Sequence, residues 1–234
     1  MCWLILRKLT FRPLQWGGTF KSGVMFQVHI IHAGNRHLYE DTIEQHFRIR
    51  HDICVGEMRW MELERPDGRD VDQFDTDKAV YLLGLEPERG VVAGSRLLPT
   101  LEPHLLGNVF PELANIRGVP HAPDIFEWTR FFVHPARRES NRPSKAAGII
   151  QCAIVEFCLS QNIRKISGVC EAHWLPRLQA LGWNPCLLGE PMRKDSMTIV
   201  GLSTDMTTEA LERTRSAYGI IGSVIAPVSI PFNR

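Results

Sequence analysis

Charge placed inside apolar strand sequence is what most constrains this chain. Ile125–Val133 reads IFEWTRFFV, a segment whose aromatic and β-branched content predicts a strand, yet it carries Glu127 and Arg130. A second such segment, residues 91–98 (VVAGSRLL), carries Arg96. An ionised side chain in a core strand is costly unless it is paired. One such residue alone would be read as facing water from an edge strand. Three charges in two strands this apolar, with acids close by in the sequence, point to one buried ionic cluster lining a cleft for a polar, zwitterionic substrate. In a regular strand Glu127 and Arg130 would point to opposite faces. Gathering both into one cleft requires a bulge or twist between them.

The surroundings of those strands predict an α/β domain. Residues 26–31 read as a strand and 36–53 as a helix with Asn35 as N-cap. Residues 80–85 and 91–98 read as a hairpin, and 99–124, with five prolines, as an irregular connection. A helix over 143–161, a strand over 165–170, a helix over 174–181, a strand over 197–202 and a helix over 208–218 follow. Early hairpins and later strand–helix alternation fit a single domain with a mixed sheet. At 234 residues the chain can bury such a core without disulfides or metals.

Composition removes several function classes. The net charge of +1 excludes a strongly basic nucleic-acid binder and an acidic disordered tail. No apolar run of about 18 residues occurs, so no membrane span is expected. The six cysteines form no C-x-x-C pair and, with the histidines, no zinc-like spacing, which reads as reduced thiols, a cytoplasmic location and no metal. Residues 1–24 carry four bases and no acid; they are read as a disordered or upstream-start extension, with 25–234 as the domain. A peripheral membrane anchor is the alternative for that segment, and stable membrane association is not expected. There is no P-loop, no G-x-G-x-x-G and no G-x-S-x-G elbow.

The constellation Arg50…Trp60…Asp72-x-Phe74-Asp75…Ser95-Arg96…Phe110…Glu127-x-Thr129-Arg130-Phe131 resembles the acyl-homoserine-lactone synthases, the autoinducer synthases of bacterial quorum sensing. The resemblance runs from Met25 to about Leu202, and its motifs are specific in combination. It implies a mixed, twisted β-sheet flanked by α-helices, similar to the GNAT N-acetyltransferases and splayed to admit a pantetheine arm. It implies an acyltransferase with two co-substrates, S-adenosylmethionine and an acyl thioester, and no cofactor. The amine of S-adenosylmethionine attacks the acyl carbonyl, and its carboxylate then displaces methylthioadenosine to close the lactone.

The residues fit those demands. An α-amine is largely protonated at neutral pH and must lose its proton to attack; Glu127 is the candidate base. Arginines suit the substrate carboxylate, so Arg130 and Arg96 join the catalytic set. Arg50, Trp60, Phe110 and Thr129 are the candidate contacts to S-adenosylmethionine, Trp60 through a cation–π contact. Residues 40–77 hold twelve acids against five bases, the right sign for a sulfonium and an ammonium. Asp72 and Asp75 either touch substrate or pair with Arg50 and Arg96 as scaffold.

Acyl-pocket candidates are Cys54, which stands where the family usually has an aromatic, Gly168 and Trp128. Gly168 occupies a position where members that prefer 3-oxo chains often carry Thr, so either no such preference exists here or the glycine only relieves packing. Residues 65–72 resemble the rhizobial-type subset, which includes users of branched-chain or aryl acyl-CoA, and this favours CoA over acyl carrier protein. Residues 130–165 hold seven bases and two acids. Within them Arg137, Arg138, Arg142 and Lys145 are the candidate carrier-binding residues, and Lys145-Ala-Ala-Gly148 hints at a pyrophosphate cradle at a helix N-terminus. Two rival functions stay open: a GNAT-type acyltransferase for another amine, and a non-enzymatic sensor of S-adenosylmethionine or acyl-CoA.

Overall fold

The computed structural model describes residues 25–139, 144–194, 197–227 and 232. The segment 1–24 lies outside them, as do Arg142 and Pro143. Strand β1 (Gln27–Ile31) leads through a 3-10 turn at Arg36–Leu38 into helix α1 (Glu40–His51), so the helix expected from residue 36 starts later. Asn35 does not cap it. Its side chain accepts the His32 N–H at 2.8 Å and donates to the Ile30 carbonyl at 2.9 Å, closing the turn instead. Past His51 the helix widens into a π-turn, Asp52–Glu57, in which Ile53, Cys54 and Val55 are all buried. Single π-turns often mark functional sites.

Strands β2 (Val80–Glu86) and β3 (Gly90–Pro99) form the expected hairpin. The 99–124 connection is less irregular than its prolines predict: it holds helix α2 (Leu105–Asn108) and a 3-10 turn at Pro111–Ala114. Then come β4 (Ile125–Val133), α3 (Lys145–Ser160), β5 (Lys165–Glu171) and α4 (Leu175–Ala180). The short strands β6 (Cys186–Leu187) and β7 (Met192–Lys194) were not foreseen. Strand β8 (Met197–Asp205) and helix α5 (Thr208–Tyr218) complete the order. Thr207 caps α5, its hydroxyl oxygen accepting the Ala210 N–H at 3.0 Å, and Gly219 closes it at φ 62°. Among the described residues no helix is long and apolar enough to cross a membrane.

One eight-stranded sheet runs β1-β2-β3-β4-β5-β8-β6, with β7 also on β8. The β4–β5 pairing is parallel and the other pairings are antiparallel. It covers three residue pairs, Ile125↔Lys165 to Glu127↔Ser167. Beyond Glu127 the two strands part, β4 staying with β3 and β5 with β8. The sheet thus opens into a cleft at its middle.

Helix α1 covers one face through Ile43, Phe47 and Ile49 against Leu83, Leu98 and Phe132. Helices α3 and α5 cover the other, over Val80, Leu82, Leu97 and Phe126. Gly148 sets the α3–α5 approach, because a Cβ there would lie 2.2 Å from the Tyr218 ring. That contact accounts for the glycine of Lys145-Ala-Ala-Gly148 by packing.

Candidate active site

The bulge required by Glu127 and Arg130 is present. Gly94 pairs with Phe132 and Arg96 with Thr129, so one residue of β3, Ser95, stands opposite two of β4, Arg130 and Phe131. Arg130 absorbs the extra residue at φ 52°, a left-handed conformation costing about 1–3 kcal/mol for a non-glycine. The break in alternation puts Arg130 on the α1 side of the sheet, beside Thr129.

There it joins a cluster of three arginines and three aspartates, Arg50, Arg96, Arg130, Asp70, Asp72 and Asp75. Arg50, from the last turn of α1, grips Asp75 with two bonds of 2.8 and 3.1 Å and Asp70 with one of 3.0 Å. Arg96 binds Asp72 at 2.7 and 3.0 Å, Asp75 at 2.7 Å, and donates from Nε to the Thr129 hydroxyl at 3.1 Å. Arg130 reaches Asp70 at 2.8 Å and Asp72 at 2.9 Å. Tyr81 donates its hydroxyl to Asp75 at 2.9 Å.

Asp72 and Asp75 therefore act as partners of the arginines. Asp72 also turns the backbone, accepting the Phe74 N–H, while Asp75 accepts the Asp72 N–H. Burial alone would raise the Asp75 carboxyl; Arg50 and Arg96 overcome it and hold the group well below the usual carboxylate range. Burial opposed by Arg50 and Arg130 likewise leaves Asp70 lowered.

The six charges sum to zero, so the cluster as a whole attracts neither sign. What it offers a ligand is its exposed edge. Asp72 at 17% and Arg130 at 11% side-chain exposure are its most accessible members, and they touch each other. One carboxylate and one guanidinium side by side complement the ammonium and carboxylate of an amino acid. Arg130 lies just beyond the last β4–β5 pair, where the cleft begins.

Glu127 is fully buried, and both its oxygens are engaged. They accept the N–H groups of Leu105, at 2.7 Å, and Leu106, at 2.6 Å, at the start of α2. This bond pair, not helix propensity, explains why a four-residue helix forms. Burial pushes the Glu127 carboxyl up, with the two amide bonds pulling the other way. A raised carboxyl is a better proton acceptor, and each oxygen keeps a second lone pair.

Cys54 lies in the π-turn on the α1 side, near Asp70 and Arg130; burial pushes its thiol up to about 11. Trp60 is half-buried, its backbone N–H donating to the Cys54 carbonyl at 3.0 Å. Phe110 packs with Leu106, Leu113 and Ile199, and Lys194 stands 5.2 Å above its ring.

Trp128 and Gly168 are on the other side of β4, at the mouth of the cleft. Trp128 tilts against Trp183 and meets Phe131 edge-on, both at 5.5 Å, and Phe131 meets Trp174 at 6.0 Å. The four rings form one aromatic row, with Trp183 fully buried at its inner end. A Cβ on Gly168 would lie 2.9 Å from the Trp128 carbonyl oxygen, so the glycine serves close strand approach. The structure thus groups Trp128 with Gly168, and Cys54 with the ionic cluster.

In the basic run at 130–165, of which Arg142 lies outside the described residues, four of the bases beyond Arg130 are paired with acids. Arg137 binds Glu86 through two bonds of 2.6 and 2.5 Å, and Arg138 meets Glu57 at 2.5 Å. Arg164 pairs with Asp124 and Lys165 with Asp205. Lys145 starts α3, its backbone N–H on Glu139 at 3.2 Å. Counting charges within one segment missed these acids, which arrive from elsewhere in the chain.

Three residues have roles that the sequence does not announce. Asp70 belongs to the acidic run and was overlooked because Asp72 and Asp75 already balanced two arginines. His46 is buried against Phe47, Tyr81 and Phe132, and burial, reinforced by Arg50, holds its imidazole well below its usual value. Ser95 lies opposite the bulge, and only the register reveals its role.

The open mixed sheet, with a buried ionic cluster beside its β4–β5 parting, is that of the acyltransferases of this fold. The chain belongs to the autoinducer synthase family, whose sequence model matches residues 35–214. It is 43% identical over 193 residues to the isovaleryl-homoserine lactone synthase of Bradyrhizobium diazoefficiens, covering 82% of this chain and 86% of that one. The fold superposes on a CoA-dependent acyl-homoserine lactone synthase, BjaI, solved with S-adenosylmethionine and isopentyl-CoA, at a TM-score of 0.83 and 40% identity, covering 88% of this chain and 95% of that one. A second CoA-dependent synthase, MesI, matches at 0.78 and 46% identity, covering 86% and 99%. Escherichia coli ElaA, at 0.53 and 19% identity over 76% of this chain and 99% of its own, shares the fold alone. The chain is an acyl-homoserine-lactone synthase, an enzyme of quorum-signal synthesis.

Proposed function

We propose that this enzyme acylates S-adenosylmethionine from a short branched-chain acyl-CoA, of which isovaleryl-CoA is the best candidate. The observation that carries the reading is the cleft where β4 and β5 part. It has the Asp72–Arg130 edge on one side and the row from Trp183 to Trp174 on the other. Likeness to the isovaleryl-homoserine lactone synthase and to BjaI supports the acyl class and CoA as carrier.

In this reading Arg130 receives the substrate carboxylate and Asp72 its ammonium, with Trp60 beside the sulfonium. Arg50, Arg96, Asp70 and Asp75 hold those two groups in place. Glu127 takes the ammonium proton through its spare lone pairs. The free amine bonds to the acyl carbon, and the thiolate of CoA leaves. The substrate carboxylate then attacks its own γ-carbon, the carbon–sulfur bond breaks, and methylthioadenosine departs with the electron pair. The two co-substrates supply every bond, so no metal or prosthetic group enters, and no nucleic-acid partner is called for.

The test is the purified full chain with S-adenosylmethionine and isovaleryl-CoA. Methylthioadenosine and free CoA should appear in equal amounts with isovaleryl-homoserine lactone. Free CoA without methylthioadenosine would mean that the acyl group goes to water or stays on unlactonised S-adenosylmethionine, and would overturn the lactone reading in favour of an acyltransferase whose amine is still to be supplied. Tight binding without turnover would make it a sensor.

A further inference from the structure

Ser95 is fully buried on β3, in the step where the β3–β4 ladder is interrupted. Its hydroxyl makes two bonds. It accepts the indole N–H of Trp128 at 2.7 Å and donates to the Thr129 carbonyl at 3.2 Å. The step lies beside the bulge that brings Arg130 to the ionic cluster. One hydroxyl thus bonds the backbone of Thr129, whose side chain faces the polar half of the site, and fixes an indole in the apolar half.

The second indole of the row is pinned in the same way, Trp183 donating to the Thr214 hydroxyl at 3.0 Å. Phe131 has no N–H to tether, and the Trp174 indole makes no such bond among the described residues. A ring held by a hydrogen bond at one edge and by stacking at the other has one orientation, and a wall with one orientation discriminates acyl shape. Without the hydroxyl the Trp128 N–H would lose its partner, and the ring would turn to find another.

We infer that Ser95 is a positioning residue for acyl selectivity: it sets the orientation of Trp128, and through it the fit of a branched acyl group. The inference rests on the reading of the cleft given under the proposed function.

The test is a two-by-two set, wild type, Ser95→Ala, Trp128→Phe and the double variant. For each, kcat/KM is measured with isovaleryl-CoA and with hexanoyl-CoA at saturating S-adenosylmethionine. Ser95→Ala should lower the isovaleryl preference about tenfold, within the range a shaped pocket commands, with KM for S-adenosylmethionine changed less than about twofold. Phenylalanine has no N–H to anchor, so in the Trp128→Phe background the same change should alter the preference less than about twofold. Ser95→Thr keeps the hydroxyl and should retain selectivity; it serves also if Ser95→Ala folds poorly. Equal loss of selectivity in both backgrounds, an equal loss in Ser95→Thr, or unchanged selectivity in Ser95→Ala would overturn the inference while leaving the reaction intact. Wild type that makes no lactone from any acyl-CoA would overturn both.

Discussion

Arg50 and Asp75 meet end-on, guanidinium to carboxylate, through bonds of 2.8 and 3.1 Å, with neither side chain reaching solvent. They come from opposite ends of a 25-residue stretch, Arg50 from the last turn of α1 and Asp75 from the loop before β2. The pair ties that loop to α1 and, through Arg96, to the strand that faces the bulge.

Breaking this pair should unfold the site before it alters chemistry. Asp75→Asn leaves a buried net charge of +1 shared by Arg50 and Arg96. Removing one partner of a buried ion pair costs roughly 3–5 kcal/mol. A denaturant titration should show that loss. A change under about 1 kcal/mol would mean water reaches the cluster.

The lowered carboxyls set the acid limit of stability. Asp70 and Asp75 titrate below their ordinary value of 3.8 in the folded chain. Their contribution is fully present above the unfolded value and is lost as pH falls through the folded ones. Glu127 has the opposite sign: its raised carboxyl takes stability away as pH rises through its folded value. Buried His46 and His29, whose imidazoles stay neutral in the fold, should make stability decline as pH falls below about 6.5, and Asp70 and Asp75 should add a steeper acid limb below about 4. Asp75→Asn should flatten that acid limb. An equally steep limb in the variant would assign it to other carboxylates.

Glu127 has two tasks, and a pH profile separates them. Glu127→Gln keeps one acceptor for the α2 amides and removes the base. kcat should drop by about 10²-fold or more and recover as pH rises and solvent deprotonates the amine. A loss equal at every pH, with a lowered Tm, would leave Glu127 as the anchor of α2 alone.

The fold was legible wherever pattern is local. The bounds of β4 and α5 follow from aromatic content, a threonine cap and a terminal glycine. The need for a bulge was legible too, because period-2 alternation cannot bring Glu127 and Arg130 together. What stayed hidden depends on distant partners. Helix α2 exists because Glu127 binds its first amides, and no property of residues 105–108 announces it. The π-turn after His51 places Cys54 near Asp70, and no local pattern in residues 52–57 announces a widened turn. The pairing of Arg137 with Glu86 spans 51 residues, beyond any local charge count.

Gly168 gives a cleaner test of close approach than of chain chemistry. In Gly168→Thr the new Cβ would press on the Trp128 carbonyl, 2.9 Å away, which is backbone and cannot swing aside. The variant should lose activity with branched acyl-CoA by about tenfold or more and gain none with 3-oxo chains. A gain with 3-oxo substrates would show that the strands move apart and that the threonine hydroxyl reaches the chain.

The carrier question turns on cations that are already paired. An acidic carrier protein docks on exposed, unpaired bases, but Arg137 is committed to Glu86 and Arg138 to Glu57. Exposed pairs of this kind contribute little to stability, about 0–1 kcal/mol, so both can be replaced without risk to the fold. If CoA is the donor and these arginines serve the β2–β4 connection, Arg137→Ala and Arg138→Ala should each change KM for isovaleryl-CoA by less than about threefold. Their effect should not grow as salt is lowered. The paired measurement is kcat/KM for isovaleryl-CoA against the same acyl group on acyl carrier protein. CoA should win by about tenfold or more. A carrier-protein advantage of that size, abolished by either variant and steep in salt, would show that docking breaks these ion pairs and would reverse the carrier assignment.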